Sequence, residues 1–196
     1  MKGQLIVISG PSGVGKGTLV DKLIEEREDF ILSISCTTRN KRINEVEGLD
    51  YFFKTEDEFN EMIMRNQLLE YAQVHGHYYG TPKDFVYENI ENDKTVILEI
   101  DIQGGLQVKE EFPMTTLIFI LPPSEDDIEK RIRKRGTESD DEILVRLETS
   151  KNEMKYLKDY DYAVVNDDLY KCVNNIKLII DANRFRIDNQ YIDLYD

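Results

Sequence analysis

The sequence predicts an α/β layered fold built on a buried parallel sheet. Three observations carry this. Leu5 to Ser9 is a continuous apolar run followed at once by helical spacing; Thr95–Ile100 and Thr116–Leu121 are further continuous β-branched or aromatic runs; and helical stretches alternate with these runs along the chain. Strands buried on both faces read as unbroken apolar runs, because neither face meets water.

Taken in order, Leu5–Ser9 is the first strand. Leu19, Val20, Leu23 and Ile24 recur at helical spacing, which predicts a helix from Lys16 to about Glu26. Residues 36 to 85 break the rhythm. They hold aromatics and turn residues (Tyr51, Phe52, Phe53, Tyr71, Tyr78, Tyr79, with Gly48, Gly76 and Gly80), and predict a small mixed or antiparallel unit with one helix near Glu56 to Asn66. Residues 123 to 150 are almost all charge and predict two short helices around a turn at Gly136, with Ser124 and Ser139 as N-caps. Tyr162 to Val165 is the last strand. Leu169, Cys172, Val173, Ile176, Ile179 and Ile180 then form an apolar stripe on a long helix.

Composition excludes several classes of function. The chain has 196 residues with 39 acidic against 25 basic ones, a net charge of −14. That length fits one domain with inserted subdomains. No global positive field would draw in a nucleic-acid backbone, so neither DNA nor RNA is the expected partner. The apolar runs are far shorter than the roughly 18 residues of a membrane span, and no secretory signal opens the chain, so the expected location is the cytoplasm. Two cysteines, Cys36 and Cys172, build no disulfide framework and no zinc site. His75 and His77, in an aromatic hairpin, read as packing or hydrogen-bonding residues and not as metal ligands.

Gly10-Pro11-Ser12-Gly13-Val14-Gly15-Lys16-Gly17-Thr18 carries the G-x-x-x-x-G-K core of a P-loop between a strand and a helix. Glycines let backbone N–H groups curl around a phosphate, the helix N-terminus adds partial positive charge, and Lys16 reaches the terminal phosphates. The residue after the lysine is Gly17 instead of Ser or Thr, and the hydroxyl arrives one place later at Thr18. Direct Mg²⁺ ligation at the usual position is therefore replaced by phosphate oxygens and water. Glu99 and Asp101, two apart at the end of a strand, are expected on one face at its carboxyl end, where α/β sheets place ligands. A role for Glu99 and Thr18 toward Mg²⁺ through water follows.

A P-loop leaves GTPase, ATPase and kinase open. Ser35-Cys36-Thr37-Thr38-Arg39-Asn40-Lys41-Arg42, then Glu47-Gly48-Leu49-Asp50-Tyr51-Phe52-Phe53, resemble the S-x-T-T-R-x-x-R and G-x-D-Y-x-F signatures of the guanylate kinase family. Leu69-Glu70-Tyr71-Ala72-Gln73, Tyr78-Tyr79-Gly80-Thr81, Arg135-Gly136-Thr137-Glu138 and Val165-Asn166-Asp167-Asp168 continue the likeness in the family's order, from about residue 4 to 180.

The resemblance implies a P-loop nucleoside monophosphate kinase fold, a parallel core sheet flanked by helices with inserted GMP-binding and lid subdomains. The expected division is a core of residues 1–35, 86–122 and 150–196, a GMP-binding subdomain 36–85 and a lid 123–149. It also implies Mg²⁺-dependent transfer of the γ-phosphoryl group of ATP to GMP, and to dGMP. Arg39, Arg42, Tyr51 and Tyr79 match the phosphate grip on GMP, where guanidinium forks suit phosphate oxygens. Glu70 matches the guanine reader, since a carboxylate accepts from both N1–H and the N2 amino group. Thr81 stands where the family has serine and keeps a hydroxyl for guanine O6, and Ser35 and Asp101 match further base-contacting positions. Arg131, Arg135 and Arg146 match the lid arginines that join Lys16 and Arg39 in catalysis, and Asn166 matches the position that packs the adenine of ATP. The competing expectation is a guanylate-kinase-like module that has lost catalysis and binds phosphopeptides; a monophosphate kinase for another base is a second. No segment specifies an oligomeric state, and the tail from Asn183 to Asp196 runs past the shared pattern.

Overall fold

The computed structural model describes residues 3–74, 76–135 and 140–186. Among them, five parallel strands form the central sheet: β1 (Gln4–Ser9), β2 (Phe30–Leu32), β7 (Thr95–Glu99), β8 (Thr116–Leu121) and β9 (Tyr162–Val165), in the order β2-β7-β1-β8-β9. The central strand β1 is buried from Leu5 onward, as its unbroken apolar run requires.

Alternation along the strands splits the core into two layers. On one face Ile6, Ile8, Ile97, Ile118 and Ile120 pack with Leu19, Val20 and Leu23 of α1 (Lys16–Glu26) and with Cys172, Val173, Ile176 and Ile180 of α7 (Leu169–Asn183). On the other, Leu5, Val7, Val96, Leu98 and Leu117 meet Val86 of α3 (Lys83–Glu91) and Val108 of α4 (Ile102–Glu111). Each fully buried Leu or Ile adds about 2 kcal/mol. The sheet is thereby held rigid between helices, with its carboxyl ends free to carry a site.

A second, mixed sheet runs β4-β3-β6-β5. Its members are β3 (Cys36–Thr37), β4 (Phe52–Phe53), β5 (Leu68–Val74) and β6 (His77–Pro82); β5 and β6 pair antiparallel, and β3 pairs parallel to β4. The helix α2 (Glu56–Met64) covers it, started by a capping box between Thr55 and Glu58 and anchored by Phe59 against Cys36 and Leu68. The charged stretch forms α5 (Glu125–Arg135) and α6 (Asp140–Glu153), followed by a 3₁₀ turn at Met154–Asp159. Ser124 Oγ accepts from the Asp127 amide at 3.2 Å, as a cap should. Gly136, Ser139, His75 and the tail from residue 187 lie outside the described residues.

Two expectations change. The strand β7 ends at Glu99, so Asp101 lies beyond the strand, although both line the same cavity. Asp101 is instead the N-cap of α4, its carboxylate accepting from the Gly104 amide at 2.9 Å. The elements β2, α3 and α4 were not foreseen. Three residues, Phe30-Ile31-Leu32, make β2 too short an apolar run to stand out, and Gly104 and Gly105 in the first turn of α4 mask its helical pattern.

Candidate active site

The phosphate loop joins the carboxyl end of β1 to α1, and its shape follows from its glycines. Gly10 has φ +154°, and a Cβ there would lie 2.5 Å from the Ile120 carbonyl oxygen of the neighbouring strand. Gly15 has φ +95° at the N-cap of α1. Gly10→Ala should therefore cost about 3 kcal/mol, lowering Tm by roughly 6–12 °C in thermal denaturation. Pro11 and Val14 close a turn, the Val14 amide donating to the Pro11 carbonyl at 3.2 Å. The Val14 carbonyl is clamped from two sides: Asn166 Nδ2 and Arg131 Nη1 each donate to it at 2.8 Å, and Arg131 Nη2 donates to the Asn166 carbonyl at 2.8 Å.

Lys16 folds back over its own loop, Nζ donating to the carbonyls of Gly10 at 2.6 Å and Pro11 at 3.4 Å. The Ser12 amide donates to Glu153 Oε2 at 3.2 Å. Gly13 has φ +83°. Gly17 and Thr18 open α1, with Thr18 exposed. A Cβ at Gly17 would stand 3.7 Å from Glu99 Oε1, so this carboxylate lies against the first turn of α1. Desolvation pushes its pKa up, Lys16 opposes this, and Asp21 adds to it. A carboxylate beside a phosphate loop, near a second acidic group, suits a hard cation that takes most of its ligands from phosphate and water. Among the described residues no three His, Cys, Asp or Glu side chains form a metal cluster.

The second half of the site lies between the two sheets. A cavity of about 240 Å³ is lined by Ser35, Tyr51, Glu70, Tyr79, Glu99 and Asp101, and a neighbouring one of about 150 Å³ adds Thr81. Glu70 stands on β5, is 7% exposed, and accepts from Thr81 Oγ1 at 2.7 Å. Its pKa is pushed up to about 7, first by burial; Thr81 opposes the shift and Asp101 adds to it. The sequence leaves the Thr81 hydrogen for guanine O6. Here that single hydrogen goes to Glu70, so Thr81 orients the carboxylate. Close approach explains a glycine at 104 in the first turn of α4, since a Cβ there would come within 3.1 Å of Glu70 Oε2.

The hydroxyl-rich segment before Arg39 stitches β3 to β6. Thr37 Oγ1 donates to the Tyr78 carbonyl at 2.9 Å and accepts from the Arg39 amide at 3.2 Å, and the Tyr78 amide donates to Thr38 Oγ1 at 2.9 Å. Arg39 is thus carried on a fixed edge. Its guanidinium stacks 5.4 Å from the Tyr51 ring, which meets Tyr79 edge-on at 6.0 Å. Glu45 takes the fork, accepting from Arg39 Nη2 at 2.6 Å and Nη1 at 3.1 Å, and from the Arg42 amide at 2.8 Å. The side chain of Arg42 is exposed.

The structure therefore brings Ser35, Tyr51, Glu70, Tyr79 and Asp101 to one cavity, with Arg39 at its rim. It brings Arg131, Asn166 and Lys16 to the phosphate loop. Arg146 is half-buried on α6, and the side chain of Arg135 lies outside the described residues. Glu45 and Glu153 were missed. Glu45 carries a faint signal, an acidic residue three places after Arg42; Glu153 carries none, since it lies 141 residues from Ser12.

The guanylate kinase family model matches residues 2–183. The chain belongs to the guanylate kinase family. As a guanylate kinase it is an enzyme, a kinase that transfers a phosphoryl group. It is 53% identical over 194 residues to the guanylate kinase of Caldanaerobacter subterraneus subsp. tengcongensis, covering 99% of this chain and 94% of that one. It is 51% identical over 193 residues to that of Oceanobacillus iheyensis, covering 97% and 94%. Among solved structures it resembles the guanylate kinase from Anaplasma phagocytophilum, with a TM-score of 0.73 and 31% identity over 94% of this chain and 88% of that one. The parallel core sheet flanked by helices is that of a P-loop nucleoside monophosphate kinase.

Proposed function

We propose that this guanylate kinase moves the γ-phosphoryl group of ATP onto GMP, and onto dGMP, with the residues described above in defined roles. One observation carries the assignment of the base pocket: a buried carboxylate, Glu70, opens into a cleft whose rim holds the Arg39 guanidinium. Guanine presents two adjacent donors to a carboxylate, and adenine presents no such pair.

In this reading Arg39, Arg42, Tyr51 and Tyr79 hold the GMP phosphate, while Ser35, Glu70 and Asp101 contact the base, with Thr81 acting through Glu70. The phosphate loop from Gly10 to Thr18 takes the phosphates of ATP, with Lys16 drawn off its own carbonyls onto them. A GMP phosphate oxygen attacks the γ-phosphorus in line, the bond to the β–γ bridging oxygen breaks, and ADP leaves. No protein nucleophile is required, so catalysis is positioning and charge neutralisation by Lys16, Arg131, Arg135 and Arg146. Asn166 supports the loop beside the adenine. Glu99 and Thr18, through water, are the residues we assign to Mg²⁺, which when bound supplies further charge neutralisation on the phosphates. We divide the chain into core, GMP-binding subdomain (36–85) and lid (123–149), and expect closure of the latter two to exclude water.

The two buried free cysteines suit a reducing compartment, and we assign the cytoplasm on that ground. Among the described residues no helix is long and apolar enough to cross a membrane.

Arg39→Ala should lower kcat/KM for GMP by roughly 10²-fold or more, since each hydrogen bond to a charged group contributes about 1.5–3 kcal/mol. Arg39→Lys should recover little of it, because an ammonium has no fork. The test of the whole reading is a coupled assay of ADP release with GMP, dGMP, AMP, CMP and UMP. Activity confined to GMP and dGMP supports it; equal activity with AMP, or none with any of them, overturns it.

A further inference from the structure

The phosphate loop is contacted by an anion of the chain's own. Pro11 has no N–H, so Ser12 offers the first amide after Gly10, and that amide donates to Glu153 Oε2 at 3.2 Å. Glu153 is the last residue of α6 and the residue from which the 3₁₀ turn Met154–Asp159 starts. Its side chain is half-buried. Lys16 and Asp101 both act on it electrostatically, and Glu153 in turn acts on Tyr160. Desolvation pushes its pKa up, while the Ser12 amide and Lys16 pull it down. A carboxylate oxygen on a loop amide takes up a donor that a phosphoryl oxygen could otherwise use.

We propose that Glu153 is a positioning residue that occupies the Ser12 amide as a stand-in for phosphate and ties the end of α6 to the loop until ATP displaces it. This rests on the reading that the loop takes the phosphates of ATP. The contact has two consequences. ATP binding must break one charge-assisted hydrogen bond before making its own, and that exchange releases the carboxyl end of a lid helix. Occupancy of the loop is thereby reported to the lid through a single side chain. A brace that merely stabilised the fold would change Tm and leave nucleotide affinity alone.

The experiment compares wild type, Glu153→Gln and Glu153→Ala. Calorimetric titration with ATP gives Kd, steady-state kinetics give KM for GMP, and amide exchange follows Ser12 and residues 150–159. We expect Kd for ATP to fall roughly tenfold in Glu153→Ala, with a smaller gain in the isosteric Glu153→Gln, whose amide oxygen still accepts a neutral hydrogen bond. KM for GMP should stay unchanged in both. Without nucleotide, the Ser12 amide should exchange slowly in wild type and faster in Glu153→Ala. Adding ATP to wild type should speed exchange in residues 150–159 while slowing it at Ser12. Unchanged or weaker ATP binding in both variants, or a Ser12 amide indifferent to Glu153→Ala, overturns the proposal alone. A wild-type chain that binds no ATP overturns the reading of the loop, and the displacement with it.

Discussion

Replacing Glu70 by Gln should lower kcat/KM for GMP by about 10²–10⁴-fold and relax the preference for GMP over AMP, as measured by ADP release. The range comes from two hydrogen bonds accepted by a charged group, at about 1.5–3 kcal/mol each. A site whose buried polar groups are left unmatched discriminates strongly, whereas a purely apolar pocket cannot. The same residue dictates a pH dependence. Its pKa lies near 7 in the folded chain against an ordinary 4.5, chiefly because burial disfavours the charge. The folded chain holds this proton more tightly than the unfolded one, so its contribution to stability is intact below 4.5 and is lost as pH rises through 7. Guanine recognition runs the other way, because only the ionised carboxylate accepts from both donors. KM for GMP should therefore fall as pH rises through 7. The GMP phosphate titrates in the same range, so Glu70→Gln is the control: its profile should keep the phosphate step and lose that of the carboxyl. Identical profiles in both proteins would refute the role of Glu70.

Replacing Lys16 by Ala should reduce turnover by about 10³-fold, the scale for losing one preorganised donor on a developing charge. The fold should barely register the change. Lys16 Nζ donates to the loop carbonyls of Gly10 and Pro11, and the strand and helix on either side are set by Ile6, Ile8, Leu19 and Leu23. Thermal denaturation should place Tm within a few degrees of wild type. A large loss of Tm together with activity would assign Lys16 a structural role instead.

How far each part could be read from the sequence follows from the range of the interactions involved. The strands β1, β7 and β8 and the helices α1 and α7 were legible because burial on two faces or along one stripe imposes a local pattern. The helix α4 was not, because its two leading glycines answer to distant neighbours, Glu70 and Tyr160. Asp101 could be recognised as important but was misplaced. An acidic residue at the end of a strand and one capping the next helix look alike in sequence, and only the backbone tells them apart. Glu45 and Glu153 were hard to pick out for a different reason. They are carboxylates in a chain with 39 acidic residues; only the nearness of Glu45 to Arg42 hints at its guanidinium, and nothing local marks Glu153 for a loop amide. Asn166 and Arg131 were assigned to the nucleotide, and the structure adds that both hold the Val14 carbonyl, so their substitution should disturb the loop as well.

The central claim is that two anion pockets face each other so that one phosphoryl group passes directly between nucleotides. ATP labelled at its γ-phosphate, incubated with the enzyme and GMP and resolved by chromatography, tests it. The account predicts that the label appears in GDP at the rate at which it leaves ATP, and that Lys16→Ala slows both by about 10³-fold. Label released as inorganic phosphate, or retained on the protein before GMP is added, would contradict it.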